Sequence, residues 1–100
     1  MIEQKEYIEI TMADVLQEYL DDANLSQNAL AKLLHVPATR IHEIMRNRRR
    51  ITADTDLRLC KFFNKTNGFF LRIQSNLESR KTKLQIEKEL ESIVSYKKSA

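Results

Sequence analysis

Residues 26–50 read SQNALAKLLHVPATRIHEIMRNRRR and carry the strongest structural pattern in the chain. Ser26 is a favoured N-cap residue, and the apolar residues after it recur at helical spacing: Ala29, Leu30, Leu33 and Leu34. Pro37 ends this helix, because the residue before a proline avoids helical geometry, and Pro37 is also well placed to start another helix. We therefore predict one helix over residues 27–34 and, after a very short link, a second one. Two short helices joined in this way form a helix-turn-helix unit.

The second helix of this unit has two different faces when successive residues are placed about 100° apart. Its apolar residues fall on the side that we expect to face the core: Ala38, Ile41, Ile44 and Met45. The opposite side carries Thr39, Glu43, Arg46 and Asn47, with Arg40 and His42 on its flanks. In a major groove, arginine pairs with guanine, glutamate accepts from cytosine and asparagine pairs with adenine. The pattern predicts a DNA-recognition helix, and an ordinary solvated helix face is the alternative.

Basic residues concentrate in the same stretch, although the net charge of the whole chain is only +3. Residues 26–50 hold six basic residues against Glu43 alone, whereas residues 1–25 are strongly acidic. Such a cluster attracts phosphates through counterion release, although a basic run is also typical of a solvated surface. We expect phosphate contacts from Arg48, Arg49 and Arg50. The candidate DNA-contacting residues are Gln27, Asn28, Thr39, Arg40, His42, Glu43, Arg46, Asn47, Arg48, Arg49 and Arg50.

Helical periodicity on both sides of this stretch predicts an all-α fold with five helices. The first helix covers about residues 12–23 and has Thr11 as its N-cap. The fourth begins after Thr52 and ends near Asn64, with Ala53, Leu57, Cys60 and Phe63 facing inward. The fifth has Thr66 as its N-cap and carries Phe69, Phe70, Ile73 and Leu77 inward.

The chain divides into three parts on this interpretation. Residues 1–10 form an N-terminal arm or a short strand, because residues 7–10 partly alternate between apolar and polar. Residues 11–79 form the helix-turn-helix DNA-binding domain. Residues 80–100 form a helical C-terminal extension that frays after about Tyr96.

Composition narrows the classes of function. One hundred residues suit a single domain, and the 42% apolar content with one glycine and one proline suits packed helices. We expect neither a signal peptide nor a membrane span, and therefore a cytoplasmic protein. Cys60 is the only cysteine, so we assign it to core packing, and His35 and His42 lack partners at metal-ligand spacing. We expect no enzymatic activity, no metal and no cofactor, because the sequence has no nucleophile elbow, phosphate-cradling glycine loop or metal motif, and a single glycine cannot supply several such turns.

Several motifs resemble those of the HigA-type antitoxins, a family that includes virulence-associated protein I. They are SQNALA at residues 26–31, Val36-Pro37, RIHEI at residues 40–44, ITADT at residues 51–55 and LRL at residues 57–59. The resemblance covers about residues 11–80 and implies a five-helix domain of the phage-repressor type. It also implies a homodimer that represses its own operon and neutralises a HigB-type toxin, a ribosome-dependent mRNA endonuclease.

The family pattern assigns a phosphate contact to Gln27, a close helix contact to Ala31 and a core position to Ile41. The chain departs from the pattern at several turns. His35 and Asn64 stand where the family usually has glycine, although both residue types tolerate positive φ. Thr66-Asn67-Gly68 replaces the family's Ser-Pro-Glu, and Thr11-Met12-Ala13-Asp14 replaces His-Pro-Gly-Glu.

Three functions remain open from the sequence. The first is an autoregulatory antitoxin, the second is a repressor with the same domain and no toxin, and the third is a protein-interaction module. For the first two we expect a homodimer, because one recognition helix reads too few base pairs to select an operator. The surplus apolar residues Leu77, Leu84, Leu90 and Ile93 indicate the fifth helix and its surroundings as the interface, unless they fold back onto the core of the same chain.

Overall fold

The computed structural model describes residues 9–98 and consists there of six helices and no strand. The helices are α1 (Met12–Ala23), α2 (Gln27–Leu34), α3 (Ala38–Met45), α4 (Ala53–Phe63), α5 (Phe69–Gln85) and α6 (Glu87–Ser92). The all-α fold is therefore confirmed. Of the strand or arm considered for residues 7–10, the first two residues lie outside the described range, and Glu9 and Ile10 carry no regular secondary structure.

Three of the predicted N-caps are present. Thr11 forms a capping box with Asp14, in which the Thr11 hydroxyl accepts from the Asp14 N–H at 3.2 Å and the Asp14 carboxylate accepts from the Thr11 N–H at 2.9 Å. Ser26 accepts from the Ala29 N–H at 3.0 Å, and Thr52 accepts from the Thr55 N–H at 3.4 Å. These bonds explain why α1, α2 and α4 begin where the sequence predicts, because each satisfies an N–H that has no partner within its helix.

The same three helices end at residues in the left-handed backbone conformation. Asn24, His35 and Asn64 have φ values of 57°, 61° and 59° at the C-terminal ends of α1, α2 and α4. Asparagine and histidine tolerate this conformation better than most residues do. His35 thus makes the turn of the helix-turn-helix unit where the family pattern has glycine, and the chain reaches Ala38 after a three-residue link.

The core lies where α1 to α5 meet. Its fully buried side chains include Leu16, Leu20, Leu30, Ile41, Ile44, Ile51, Leu59 and Phe70. The predicted inward face of α4 was partly wrong, because Leu57 is 48% exposed and Ala53 is exposed. The buried residues of α4 are Thr55, Asp56, Leu59 and Cys60. Polar Thr55 and Asp56 thus lie on the buried face of α4, which is rotated away from the apolar positions Ala53 and Leu57 that the periodicity predicted to face inward.

Asp56 is buried because its carboxylate caps α5. It accepts from the N–H groups of Gly68 at 2.7 Å, Phe70 at 2.9 Å and Leu71 at 3.1 Å. The prediction that Thr66 caps α5 is therefore wrong. The N-cap residue of α5 is Gly68, with φ 90°, and the side chain that caps the helix comes from Asp56 on α4. A carboxylate at a helix N-terminus satisfies N–H groups that lack partners and interacts favourably with the helix dipole.

The C-terminal extension is helical, but it ends earlier than predicted. α5 continues to Gln85, the helix is interrupted at Ile86, and α6 ends at Ser92. Residues 93–98 carry no regular secondary structure, so the helical part ends before Tyr96, where we predicted it to fray. All side chains from residue 78 onward are exposed in the described range. Within residues 9–98, no helix combines the length and apolar character needed to cross a membrane.

The Asp56 cap generates the first prediction. Asp56→Asn should lower the free energy of unfolding by about 1–3 kcal/mol, because an amide offers one acceptor oxygen where the carboxylate uses two. Urea denaturation would measure this decrease, with the exposed Asp22→Asn as the matched control. A decrease no larger than that of the control would contradict the assignment of Asp56 as the α5 cap.

Candidate nucleic-acid interface

The two faces of α3 lie as predicted. Ile41 and Ile44 are buried, and Ala38 and Met45 pack partly buried against the core. Thr39 is exposed on the opposite side, Glu43 is half-buried, and Arg46 is exposed immediately after the last helical residue. The apolar face thus anchors a short helix whose other face is polar and open to a ligand.

Asn47 lies away from this face. α3 ends at Met45, and Asn47 follows in a left-handed conformation with φ 58°. Its side-chain oxygen accepts from the Ala13 N–H at 3.4 Å, so it points toward the start of α1. Extending the 100° periodicity of α3 to residue 47 predicted an outward position, and the periodicity does not hold there because the helix has already ended.

α2 contributes its first turn to the same surface. Asn28 is exposed, and its side-chain oxygen lies 2.8 Å from Nε2 of His42 on α3. This contact joins two predicted DNA-contacting residues from different helices. Gln27 is half-buried at the first position of α2, where backbone N–H groups lack helical partners. Such a helix start favours the binding of a phosphate.

Arg40 makes a tertiary contact on the flank of α3. Its guanidinium donates to the Asp54 carboxylate at 2.7 Å, and Arg58 donates to the same oxygen at 2.7 Å. Arg58 also donates to the carbonyl oxygens of Leu34 at 2.8 Å and His35 at 3.3 Å, at the turn. The hydrogen bonds from Arg58 and Arg40 hold the pKa of the Asp54 carboxyl below its ordinary value of 3.8. This network ties α3, α4 and the end of α2 together.

The arginines after α3 differ in their partners. Arg49 lies 3.1 Å from the Glu43 carboxylate, and Arg50 makes a two-point ion pair with Glu78 of α5 at 2.7 and 2.8 Å. The hydrogen bond from Arg50 also lowers the pKa of Glu78. Over residues 9–98, neither Arg46 nor Arg48 has a carboxylate partner. The charges of Arg46 and Arg48 are therefore the ones most readily offered to a polyanion.

Reasoning from the sequence did not identify four residues that shape this surface: Asp54, Arg58, Gln74 and Glu78. The spacing of Asp54 and Arg58, four residues apart, was a usable signal for an ion pair on one helix face. Gln74 and Glu78 gave no such signal, because their partners lie 23 and 28 residues away in the chain.

Sequence comparison relates the chain to helix-turn-helix proteins. A family model for helix-turn-helix proteins matches residues 16–67. Virulence-associated protein I from Dichelobacter nodosus is 49% identical over 59 residues, which make up 59% of this chain and 55% of that protein. The chain spans about half the length of the curated relatives that it matches.

Two solved structures resemble the chain over most of its length. An addiction module antidote protein of a HigA family from Coxiella burnetii is 35% identical with a TM-score of 0.82, and the similarity covers 90% of this chain and 100% of that one. The Pseudomonas aeruginosa antitoxin HigA, solved with the higBA promoter, is 28% identical with a TM-score of 0.76. That similarity covers 88% of this chain and 97% of the other.

Proposed function

Because the chain belongs to the HigA family of helix-turn-helix proteins, as its motifs predicted, we propose that it is an antitoxin that represses its own operon and neutralises a HigB-type toxin. The observation that carries the DNA-binding part is the polar outer face of α3, held by a buried apolar face and followed by basic residues. The HigA structure with its promoter supports operator DNA as the ligand.

In this proposal α3 enters the major groove and its outer face reads bases. Thr39, Glu43 and Arg46 share that face, and an arginine pairs with guanine through two hydrogen bonds. Arg46 is the strongest candidate, because its guanidinium is exposed and no carboxylate within the described residues holds it. Arg40 is less available for a base contact, because Asp54 already binds its guanidinium.

The phosphate contacts come from both ends of the helix-turn-helix unit. One set consists of Gln27 and the free N–H groups at the start of α2, and the other consists of the basic residues after α3. The side chains of Asn28 on α2 and His42 on α3 contact each other at 2.8 Å. Such contacts fix the register of the protein on the duplex, and the base contacts supply its specificity.

Arg46→Ala should weaken operator binding by about 1–3 kcal/mol and relax preference at one base pair, because it removes one base contact. The measurement is affinity for the DNA upstream of the gene and for single-position variants of that DNA. Arg72→Ala is the matched control, since it removes an exposed arginine on α5 outside the α2–α3 surface. Unchanged affinity and unchanged base preference of Arg46→Ala would rule out a base contact.

The repressor should act as a homodimer. Two recognition helices about 34 Å apart fit successive turns of one face of DNA, so the operator should be an inverted repeat. The apolar residues beyond the domain support an interface there: Leu84, Leu90 and Ile93 are 56%, 40% and 67% exposed. Leu77 packs against the core of its own chain, so its part in an interface is smaller than the sequence suggested.

Replacing Leu84 and Leu90 together by glutamate should convert the dimer to a monomer, because it puts charges into an apolar contact. Sedimentation at micromolar concentration would measure the mass of the full chain and the variant. Leu57→Glu is the control, since Leu57 is an exposed leucine on α4. A variant that stays dimeric would exclude this interface, and a monomeric parent chain would exclude the dimer.

The toxin partner rests on family membership, and a repressor without a toxin is the second candidate function. Co-expression with the product of the adjacent gene separates the two. The antitoxin proposal predicts that the two proteins co-purify and that the chain restores growth to cells expressing the neighbour. A neighbour that is harmless when expressed alone and does not co-purify would leave the stand-alone repressor.

A further inference from the structure

Two side chains of α5 hold the end of the basic segment. The first is Gln74, which is only 4% exposed. Its side-chain oxygen accepts from the Ile51 N–H at 2.7 Å, and its side-chain nitrogen donates to the Ile51 carbonyl at 2.9 Å. Both polar groups of the Ile51 backbone are thereby bound, and its side chain is buried in the core. The backbone directly after Arg50 is therefore fixed relative to α5.

The second is Glu78, which lies one helical turn after Gln74 on the same face of α5. Its two carboxylate oxygens accept from Nε and an Nη of Arg50 at 2.7 and 2.8 Å. Two parallel bonds between a guanidinium and a carboxylate fix direction as well as distance. The side chain of Arg50 and the backbone beside it are thus tied to the same face of α5.

Arg48 has a different environment. Its backbone N–H donates to the Glu43 carbonyl at 2.8 Å, which closes the end of α3, and its side chain is exposed. No carboxylate in the described part of the chain pairs with it. Arg48 and Arg50 therefore differ although they lie only two positions apart. Arg50 is paired with a carboxylate of its own chain, whereas the charge of Arg48 is available to a phosphate.

We propose that Glu78 is a positioning residue for DNA binding: it holds Arg50 against α5, so that Arg48 makes the phosphate contact and Arg50 does not. This rests on the proposed DNA-binding function and deepens it, because it distinguishes residues that the basic run presents as equivalent. Arg50 then orders the loop between α3 and α4 instead of releasing counterions. In the sequence, Arg48, Arg49 and Arg50 were expected to contact phosphates alike.

The salt dependence of DNA binding tests the proposal. Removing one phosphate-binding side chain should flatten the log–log salt slope by about 0.9. Arg48→Ala should show that change, and Arg50→Ala should keep the parent slope. In a Glu78→Ala background, where Arg50 has lost its carboxylate partner and should reach a phosphate, the added Arg50→Ala substitution should flatten the slope by about 0.9. The control background is Glu18→Ala, which removes an exposed carboxylate of α1. In this background the added Arg50→Ala substitution should leave the salt slope unchanged.

The slopes are measured on two duplexes, one carrying the DNA upstream of the gene and one with the same bases in scrambled order. Arg50→Ala flattening the slope of the parent chain as much as Arg48→Ala does would overturn the proposal. So would an absence of any Arg50 effect in the Glu78→Ala background. Equal affinity of the parent chain for both duplexes would instead contradict operator recognition, while the slopes on the scrambled duplex would still decide the role of Glu78.

Discussion

The Asp56 carboxylate fixes the start of α5, and the position of α5 in turn fixes the loop that follows α3. Three backbone N–H groups converge on this one buried side chain, so α5 has a defined origin and direction relative to α4. Gln74 and Glu78 reach the loop after α3 only because α5 has that direction. A shift of α5 would move the candidate interface, although Asp56 itself lies outside the α2–α3 unit.

The recognition unit is held by polar contacts as well as by its apolar core. Asp54 binds Arg40 and Arg58 together, and Arg58 in turn satisfies carbonyl groups at the end of α2. Ion pairs on a protein surface contribute little stability individually, so their main effect here is geometric. They set the angle between α2 and α3 at a turn where His35 replaces the usual glycine.

Several parts of the fold and the candidate site could be predicted because their signals are local. Thr11, Ser26 and Thr52 each cap a helix within three residues of their own position, and His35 and Asn64 end helices as their residue types allow. The α5 cap could not be predicted, because Asp56 acts on residues 12 to 15 positions later, across a turn. The inward face of α4 was misassigned for the same reason, since apolarity alone cannot reveal a carboxylate that is buried to serve another helix.

Caps and helical periodicity act within a turn or two of the chain, so the positions of α1 to α4 and the polar face of α3 follow from the amino-acid sequence alone. Which basic residues of that surface are paired with carboxylates depends instead on the tertiary structure. Their partners lie far away in the sequence, as Asp54 does for Arg40 and Glu78 does for Arg50, 14 and 28 residues distant. A basic side chain is neutralised when folding brings a carboxylate within about 3 Å of it, and otherwise its charge remains available to DNA. No local pattern in the sequence records that distance.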